Sequence, residues 1–197
     1  LKPTEQEVNA VIAQESSGEM YFDSYENRQY RLNCRKVREH ITDEVELNKA
    51  FKHLNKIEGN SLHVAKFRFS PARWKEINSD KNLAQLDISV RFLLSCSIGL
   101  GQKIMLYLYK EVLKEGHSSA KALDTCLKFV HNRESQVNQV YKDLEYWFTQ
   151  SKGDKLLGFS MYNAGFVKEH NTYGLEILER LKNVPKKPTD TNRTNPK

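Results

Sequence analysis

Apolar residues recur along most of this chain at three- and four-residue intervals, the spacing of one buried face of an α-helix. Thr4 and Glu7 have capping-box spacing behind Pro3, so a first helix starts there and runs to about Ser16, where Ser17-Gly18 stops it. A second helix is read from Thr42 or Asp43, with Leu47, Ala50, Phe51, Leu54 and Ile57 on one face and Gly59-Asn60 as its end. Residues 61–72 lack a helical period and read as a short extended segment leading to a turn at Ser70-Pro71. Asp80 reads as the cap of a helix bearing Leu83, Leu86, Val90, Leu93 and Leu94. Ser97 to Gln102 is a break, followed by an apolar helix to about Glu115 that Gly116 ends. The pattern then predicts helices over 119–131, 134–150, about 154–163 and 170–183. The tail from Val184 is rich in Pro, Lys, Thr and Asn and is expected to be disordered. The class expected is mostly α, with at most a small extended element.

Composition adds bounds rather than identity. The 197 residues suffice for one domain with an insertion, and 39% hydrophobic with 28% charged residues is ordinary for a globular protein. No apolar run approaches the roughly 20 residues that span a bilayer. The chain begins at Leu1 rather than Met, which fits either a removed signal or a piece of a longer polypeptide. The net charge of +6 suits an acidic partner or merely a basic, solvated surface. Basic residues look evenly spread, with no dense stripe on a helical face, so nucleic acid is not expected as a partner. Cys34, Cys96 and Cys126 form no disulfide framework and have no metal-ligand spacing. Buried free thiols are expected, with a Cys96–Cys126 bridge as the alternative. His40, His53, His63, His117, His131 and His170 are scattered, and no metal site, triad or phosphate loop is read.

One residue breaks the pattern. Val8, Val11 and Ile12 form the apolar face of the first helix, and the next position on that face is Glu15. Desolvation and the negative end of the helix dipole both oppose an ionised carboxylate there. Both raise its pKa toward the range of a general acid. Periodicity alone leaves the bland alternatives open: a side chain pointing out past the helix end, or one paired with a lysine.

Three further segments bear on that choice. Glu15-Ser16 at a helix end, Gly99-Leu100-Gly101-Gln102, and Tyr162-Asn163-Ala164-Gly165 follow one another in this order, with Tyr173 later. The set resembles the soluble lytic transglycosylase (SLT) domain of the lysozyme superfamily. Phe67-Arg68-Phe69-Ser70-Pro71, the segment Val90 to Ser97 and the Gly-Leu-Gly-Gln string are similar to a subset of these domains that is often phage-borne. The resemblance covers about residues 4–180. It implies a lysozyme-like (SLT or goose-type-like) helical domain over 1–183, with an inserted lobe at about 19–96, followed by the polar tail 184–197. Gly101 departs from the family's Met, so one apolar wall of the sugar cleft is expected to be missing. Ser70 replaces a Glu, and Ser160-Met161 precede Tyr162 where small apolar residues are usual.

The resemblance also implies an activity: cleavage of the β-1,4 bond between N-acetylmuramic acid and N-acetylglucosamine in peptidoglycan glycan strands, without a cofactor. Glu15 would be the acid. Ser16 and Ser97 would place polar groups near it, Gln102 would line the cleft or order its loop, Tyr162 and Asn163 would lie under the reacting sugar, and Tyr173 would orient Glu15. Plainer readings stay beside these: Ser16 as a helix-end residue, Ser97 as a helix terminator, Asn163-Ala164-Gly165 as a C-cap, Tyr162 and Tyr173 as core. Trp74, Trp147 and Phe148 read as core rather than sugar platforms. Asp23, Glu26 and Glu19 are the carboxylates nearest in sequence, and none sits in a second-carboxylate motif. A hydrolytic muramidase and a non-catalytic wall-binding module of a virion or secretion apparatus are the alternatives. The ligand implies a periplasmic, extracellular or virion-associated setting.

Overall fold

Helix α1 (Glu5–Ser16) of the computed structural model, which describes residues 1–23 and 27–184, forms where its cap signals put it. The Thr4 hydroxyl accepts from the Glu7 amide, and the Glu7 carboxylate accepts from the Thr4 amide at 2.8 Å. At the other end Ser17 (φ 56°) and Gly18 (φ 76°) turn left-handed and stop the helix. Five more helices follow the apolar period closely, α6 (Met105–Lys114), α7 (Ser119–Phe129), α8 (Arg133–Gln150), α9 (Lys155–Ala164) and α10 (Thr172–Lys182), and α3 (Glu44–Ala50) forms where its helix was expected to start. The tail beyond residue 184 and Glu26 lie outside the described residues.

Three expectations require correction. The helix read through Ile57 ends at Ala50 and a single 3₁₀ turn, after which the chain forms β2 (Asn55–Glu58). Gly59-Asn60 is then not a helix stop but the two-residue turn of a hairpin with β3 (Ser61–Ala65), and Ile57 faces solvent. Asp80 caps only a short turn at residues 83–85, and the helix itself is α5 (Ile88–Leu94). Ser70-Pro71 opens a helix rather than a bare turn: the Ser70 hydroxyl caps α4 (Pro71–Ser79), with proline in its first turn.

The extended structure also exceeds what was expected. β1 (Tyr21–Asp23) joins β2 and β3 in an antiparallel sheet of order β1-β3-β2. β4 (Phe67–Phe69), β5 (Cys96–Ile98) and β6 (Lys103–Ile104) form a second, of order β4-β5-β6. The fold remains mostly helical among the described residues.

A helix with a short apolar face, Tyr30, Cys34 and Val37, completes the set and was not read from the sequence. In α2 (Arg28–Arg38), capped by Asn27, the buried positions are Asn33, Cys34 and Val37, so an amide and a thiol stand beside a single aliphatic residue on the buried face. Its outer face carries Arg28, Arg31, Arg35 and Arg38 at helical spacing, all exposed. The even spread of basic residues read from the sequence is therefore wrong in space: one face of α2 is a basic stripe.

Two hydrophobic cores result. The smaller gathers Val8, Val11 and Ile12 of α1 with Val140, Leu144 and Phe148 of α8, Phe159 of α9 and Ile177 of α10. The larger runs from Phe22 to Val130 and is rich in aromatic rings, with Phe67 packed among Phe22, Phe51 and Phe92. This second lobe is wider than the 19–96 stretch, because α6 and α7 share its core. Lys103 ties the halves together, reaching Glu111 of α6 at 2.7 Å and Asp143 of α8 at 3.1 Å. Cys34, Cys96 and Cys126 are free and buried.

Candidate active site

A cleft of about 1050 Å³ opens between the two lobes. Its walls come from the ends of α1 and α9, one face of α2, one face of the β4-β5-β6 sheet, and the start of α4. On α2 the lining residues Gln29, Leu32, Asn33 and Lys36 have i, i+3, i+4, i+7 spacing. The Asn33 amide holds that helix to the sheet by donating to the Phe67 carbonyl at 2.7 Å. In the sheet, Arg68, Ser97 and Ile104 are direct cross-strand neighbours, so they form one row on the cleft side. Phe67, Phe69, Cys96 and Ile98 alternate to the core side and are buried.

Glu15 lies on the α1 wall of this cleft. Its helix buries Val8, Val11 and Ile12, and the same face carries Glu15 half-buried into the cleft. The Tyr173 hydroxyl donates to Glu15 Oε1 at 2.7 Å. No lysine pairs with Glu15 among the described residues, and it does not point out past the helix end. Burial is the largest influence on its charge and raises its pKa above the ordinary carboxylate value. The Tyr173 hydrogen bond and the nearby Arg68 guanidinium work in the opposite direction without overcoming it. Tyr173 is itself pushed far up by burial and by the Glu15 charge, so it remains a donor.

The other residues singled out from the sequence converge here, but not all present their side chains to a ligand. Ser16, Ser97, Gln102, Tyr162 and Asn163 line the cleft with Glu15. The Ser16 hydroxyl donates back to the Ile12 carbonyl at 3.0 Å, which leaves the residue a helix-end role. Ser97 lies on β5 and terminates no helix. Gln102, in a left-handed conformation at φ 49°, donates to the carbonyls of Gly99 at 3.0 Å and Lys66 at 3.3 Å. It orders the loop rather than projecting from it. The Tyr162 hydroxyl donates to the Gly101 carbonyl at 2.8 Å, and its ring stacks parallel to Tyr173. Asn163 is exposed at the end of α9 and accepts from Asn171.

The glycine loop is built by close approach. A Cβ on Gly101 would stand 2.3 Å from Val140 and 2.8 Å from the Tyr162 hydroxyl. The missing methionine therefore strips no wall from the cleft, since this position faces α8 and Tyr162, and Ile104 lines the cleft instead. Gly99 (φ 82°) touches Gln136, a fully buried amide that accepts from the Leu100 amide at 2.9 Å and donates to the carbonyls of Phe129 and Val130 at 3.0 Å.

Sequence reading missed several lining residues: Gln29, Leu32, Asn33 and Lys36 of α2, with Lys66, Arg68 and Arg73. Lys66 donates to the Ser16 carbonyl at 2.6 Å and meets Glu19 at 3.7 Å, so an ammonium caps the negative end of α1. The available signal was the polar 3.6 period at 29–36 and the alternation Phe67-Arg68-Phe69, which points one charged residue away from two core rings. Glu15 is the only carboxylate lining the cleft among the described residues. Glu19 turns to Lys66, and Asp23 is exposed on β1 outside the lining. Of the aromatic candidates, Phe148 is core and Trp74 packs against the larger core, while Trp147 joins Tyr146 and Phe166 in a surface cluster. Among the described residues no group of three or more His, Cys, Asp or Glu is arranged to hold a metal ion, and no helix is long and apolar enough to cross a membrane.

No protein-family model, curated protein or solved structure matches the chain.

Proposed function

We propose that this chain is a peptidoglycan-cleaving domain of the lytic transglycosylase kind, with a lysozyme-like arrangement of two lobes around Glu15. One observation carries the reading. A half-buried carboxylate with a raised pKa, steadied by a tyrosine hydroxyl, stands in a large cleft with no other lining carboxylate among the described residues. That is the environment of a general acid near neutral pH. Protonated Glu15 gives its proton to the glycosidic oxygen as the bond to the muramic C1 breaks. The N-acetyl group of the substrate stabilises the cation that remains. Glu15, now ionised, takes the proton of the muramic C6 hydroxyl as that oxygen bonds to C1. The 1,6-anhydro ring closes, Glu15 is protonated again, and no water is consumed.

The other residues act through position. Tyr173 holds the acid, Gln102 and Tyr162 fix the Gly99–Gln102 loop, and Ser97 and Asn163 offer polar groups to the sugar. The ligand implies a periplasmic, extracellular or virion-associated setting.

Glu15→Gln tests the reading. The variant keeps the Tyr173 hydrogen bond and the fold, and its release of soluble fragments from purified peptidoglycan is expected to drop by about 10²- to 10⁴-fold. Equal release by variant and wild type would overturn the assignment. Glycan binding with no turnover by either would leave a wall-binding module.

A further inference from the structure

Lys66 is the single residue between β3 and β4, and so the joint between two sheets that share no strand. Its backbone is bonded on both sides. The Lys66 amide donates to the Met20 carbonyl at 2.8 Å, just before β1. Its carbonyl accepts from the Gly99 amide at 2.9 Å and from the Gln102 side chain at 3.3 Å, the two ends of the glycine loop. Its side chain reaches the Ser16 carbonyl at the end of α1. Four segments that build the cleft therefore meet at one residue: the end of α1, the run into β1, the joint into β4 and the Gly99–Gln102 loop.

Any residue but proline could make those backbone bonds. The side-chain bond is specific. The Ser16 carbonyl belongs to the last turn of α1, where carbonyls lack helical partners and partial negative charge collects. It accepts from the Glu19 amide at 3.2 Å and from Lys66 Nζ at 2.6 Å. The Lys66 side chain is only 13% exposed, with its ammonium 5.7 Å from the centre of the Phe22 ring, so the cation is committed to the protein although it borders the cleft. Ser16 follows Glu15 directly, and a fixed Ser16 carbonyl fixes the backbone from which the acid projects.

We infer that Lys66 is a positioning residue for Glu15, which it aims by locking the end of α1 to the glycine loop while offsetting the negative end of the acid's helix. The inference rests on the proposed role of Glu15 as general acid. Tyr173 holds the carboxyl, and Lys66 holds the backbone beneath it. The other titratable and charged groups around Glu15 are Tyr173 of α10, Tyr162 of α9 and Arg68 of β4, with Glu19 behind Lys66 at 3.7 Å. With Lys66 in place the helix end is offset, and the charge of Glu15 is left to burial, Tyr173 and Arg68. Without the ammonium, the helix end and the Glu19 carboxylate both favour protonated Glu15.

Two readouts test this, and the first needs no turnover. The Glu15 carboxyl is titrated by ¹³C NMR in wild type, Lys66→Met and Lys66→Arg, with Glu15→Gln identifying its signal. Lys66→Met keeps the length of the side chain and removes the charge, and its Glu15 is expected to titrate at higher pH than in wild type. Lys66→Arg restores a cation with donors and is expected to reverse most of that change. With soluble peptidoglycan oligomers, Lys66→Met is expected to lower kcat about 10- to 100-fold with KM within about two-fold, as loss of aim rather than of binding requires. Lys66→Arg is expected to recover most of the rate. Should Lys66→Met fail to fold, Lys66→Gln, which keeps a donor without the charge, carries the same comparison. An unmoved Glu15 titration in the folded charge-free variant, or a loss of kcat that Lys66→Arg does not recover, overturns the inference and leaves the general-acid reading standing. Equal release of fragments by wild type and Glu15→Gln overturns that reading instead, and the titration still decides whether Lys66 offsets the helix end.

Discussion

Three groups set the charge of Glu15, and they differ in sign. Burial favours the neutral acid, whereas the Tyr173 hydrogen bond and the Arg68 guanidinium favour the carboxylate. Burial is the largest of the three, so the pKa stands above 4.5. A general acid must carry its proton into the reaction, so kcat/KM falls as pH rises through this raised value. Removing either opposing group raises the pKa further. Tyr173→Phe and Arg68→Gln are therefore both expected to carry the alkaline limb of the pH–kcat/KM profile to higher pH. Tyr173→Phe also loses the contact that aims the carboxyl, and its plateau kcat is expected to fall on the order of ten-fold, the worth of one hydrogen bond to a charged group. A limb displaced to lower pH in either variant would show that burial is not what controls the acid. Glu15 was legible in the sequence because a carboxylate interrupted an apolar face. Arg68 was not, because a charged residue on a strand is unremarkable until the opposite lobe brings a carboxylate beside it.

At the scale of elements, legibility followed how each segment is buried. The helices α1 and α6 to α10 bury continuous apolar stripes, and their period gave them away. The α2 helix buries a single aliphatic residue, Val37, beside Asn33 and Cys34, so its period was easily passed over although it builds a wall of the cleft. The β2–β3 hairpin was missed because Leu47, Ala50, Phe51 and Leu54 complete a helical face just before the chain reverses. The Gly99–Gln102 loop was visible as a string, but its anchor was not. Gln136 of α8 holds it by accepting from the Leu100 amide, and is itself fixed by donating to the Phe129 and Val130 carbonyls. Gln136→Leu leaves the Leu100 amide and the Val130 carbonyl without partners, each costing about 1–3 kcal/mol, while the Phe129 carbonyl keeps the Asn132 amide. The variant is expected to lose at least ~2 kcal/mol of stability, or roughly 4–8 °C in Tm for a chain of this size. Asn138→Leu, on the exposed side of the same helix, is expected to stay within ~0.5 kcal/mol of wild type. A calorimetric scan separates the two. A small loss at Gln136 would mean that the loop is held by its glycines and Tyr162 alone.

At the scale of the whole molecule, two lobes with separate cores present, among the described residues, one carboxylate to the space between them. That asymmetry bears on the chemical outcome. A two-carboxylate glycosidase holds its second acid roughly 5–9.5 Å from the first, to attack the sugar or to activate water. Of the three candidates nearest in the chain, the two among the described residues are taken elsewhere: Glu19 toward Lys66, and Asp23 onto the exposed edge of β1. Glu19→Gln and Asp23→Asn are accordingly expected to keep most of the activity, within a few-fold of wild type. The products should carry the same signature. Digestion in ¹⁸O-labelled water is expected to give 1,6-anhydromuramic ends, one water lighter than hydrolytic ends and free of label, because the C6 hydroxyl and not solvent closes on C1. Reducing muramic ends that carry the label, together with a large loss in Glu19→Gln or Asp23→Asn, would make the domain a muramidase. The two measurements test different links. The substitutions ask whether a second acid takes part, and the isotope asks which oxygen attacks. Unlabelled anhydro ends with both variants active fit Glu15 serving first as acid and then as base, the dual role that a carboxyl between burial and a hydrogen-bonded tyrosine is suited to fill.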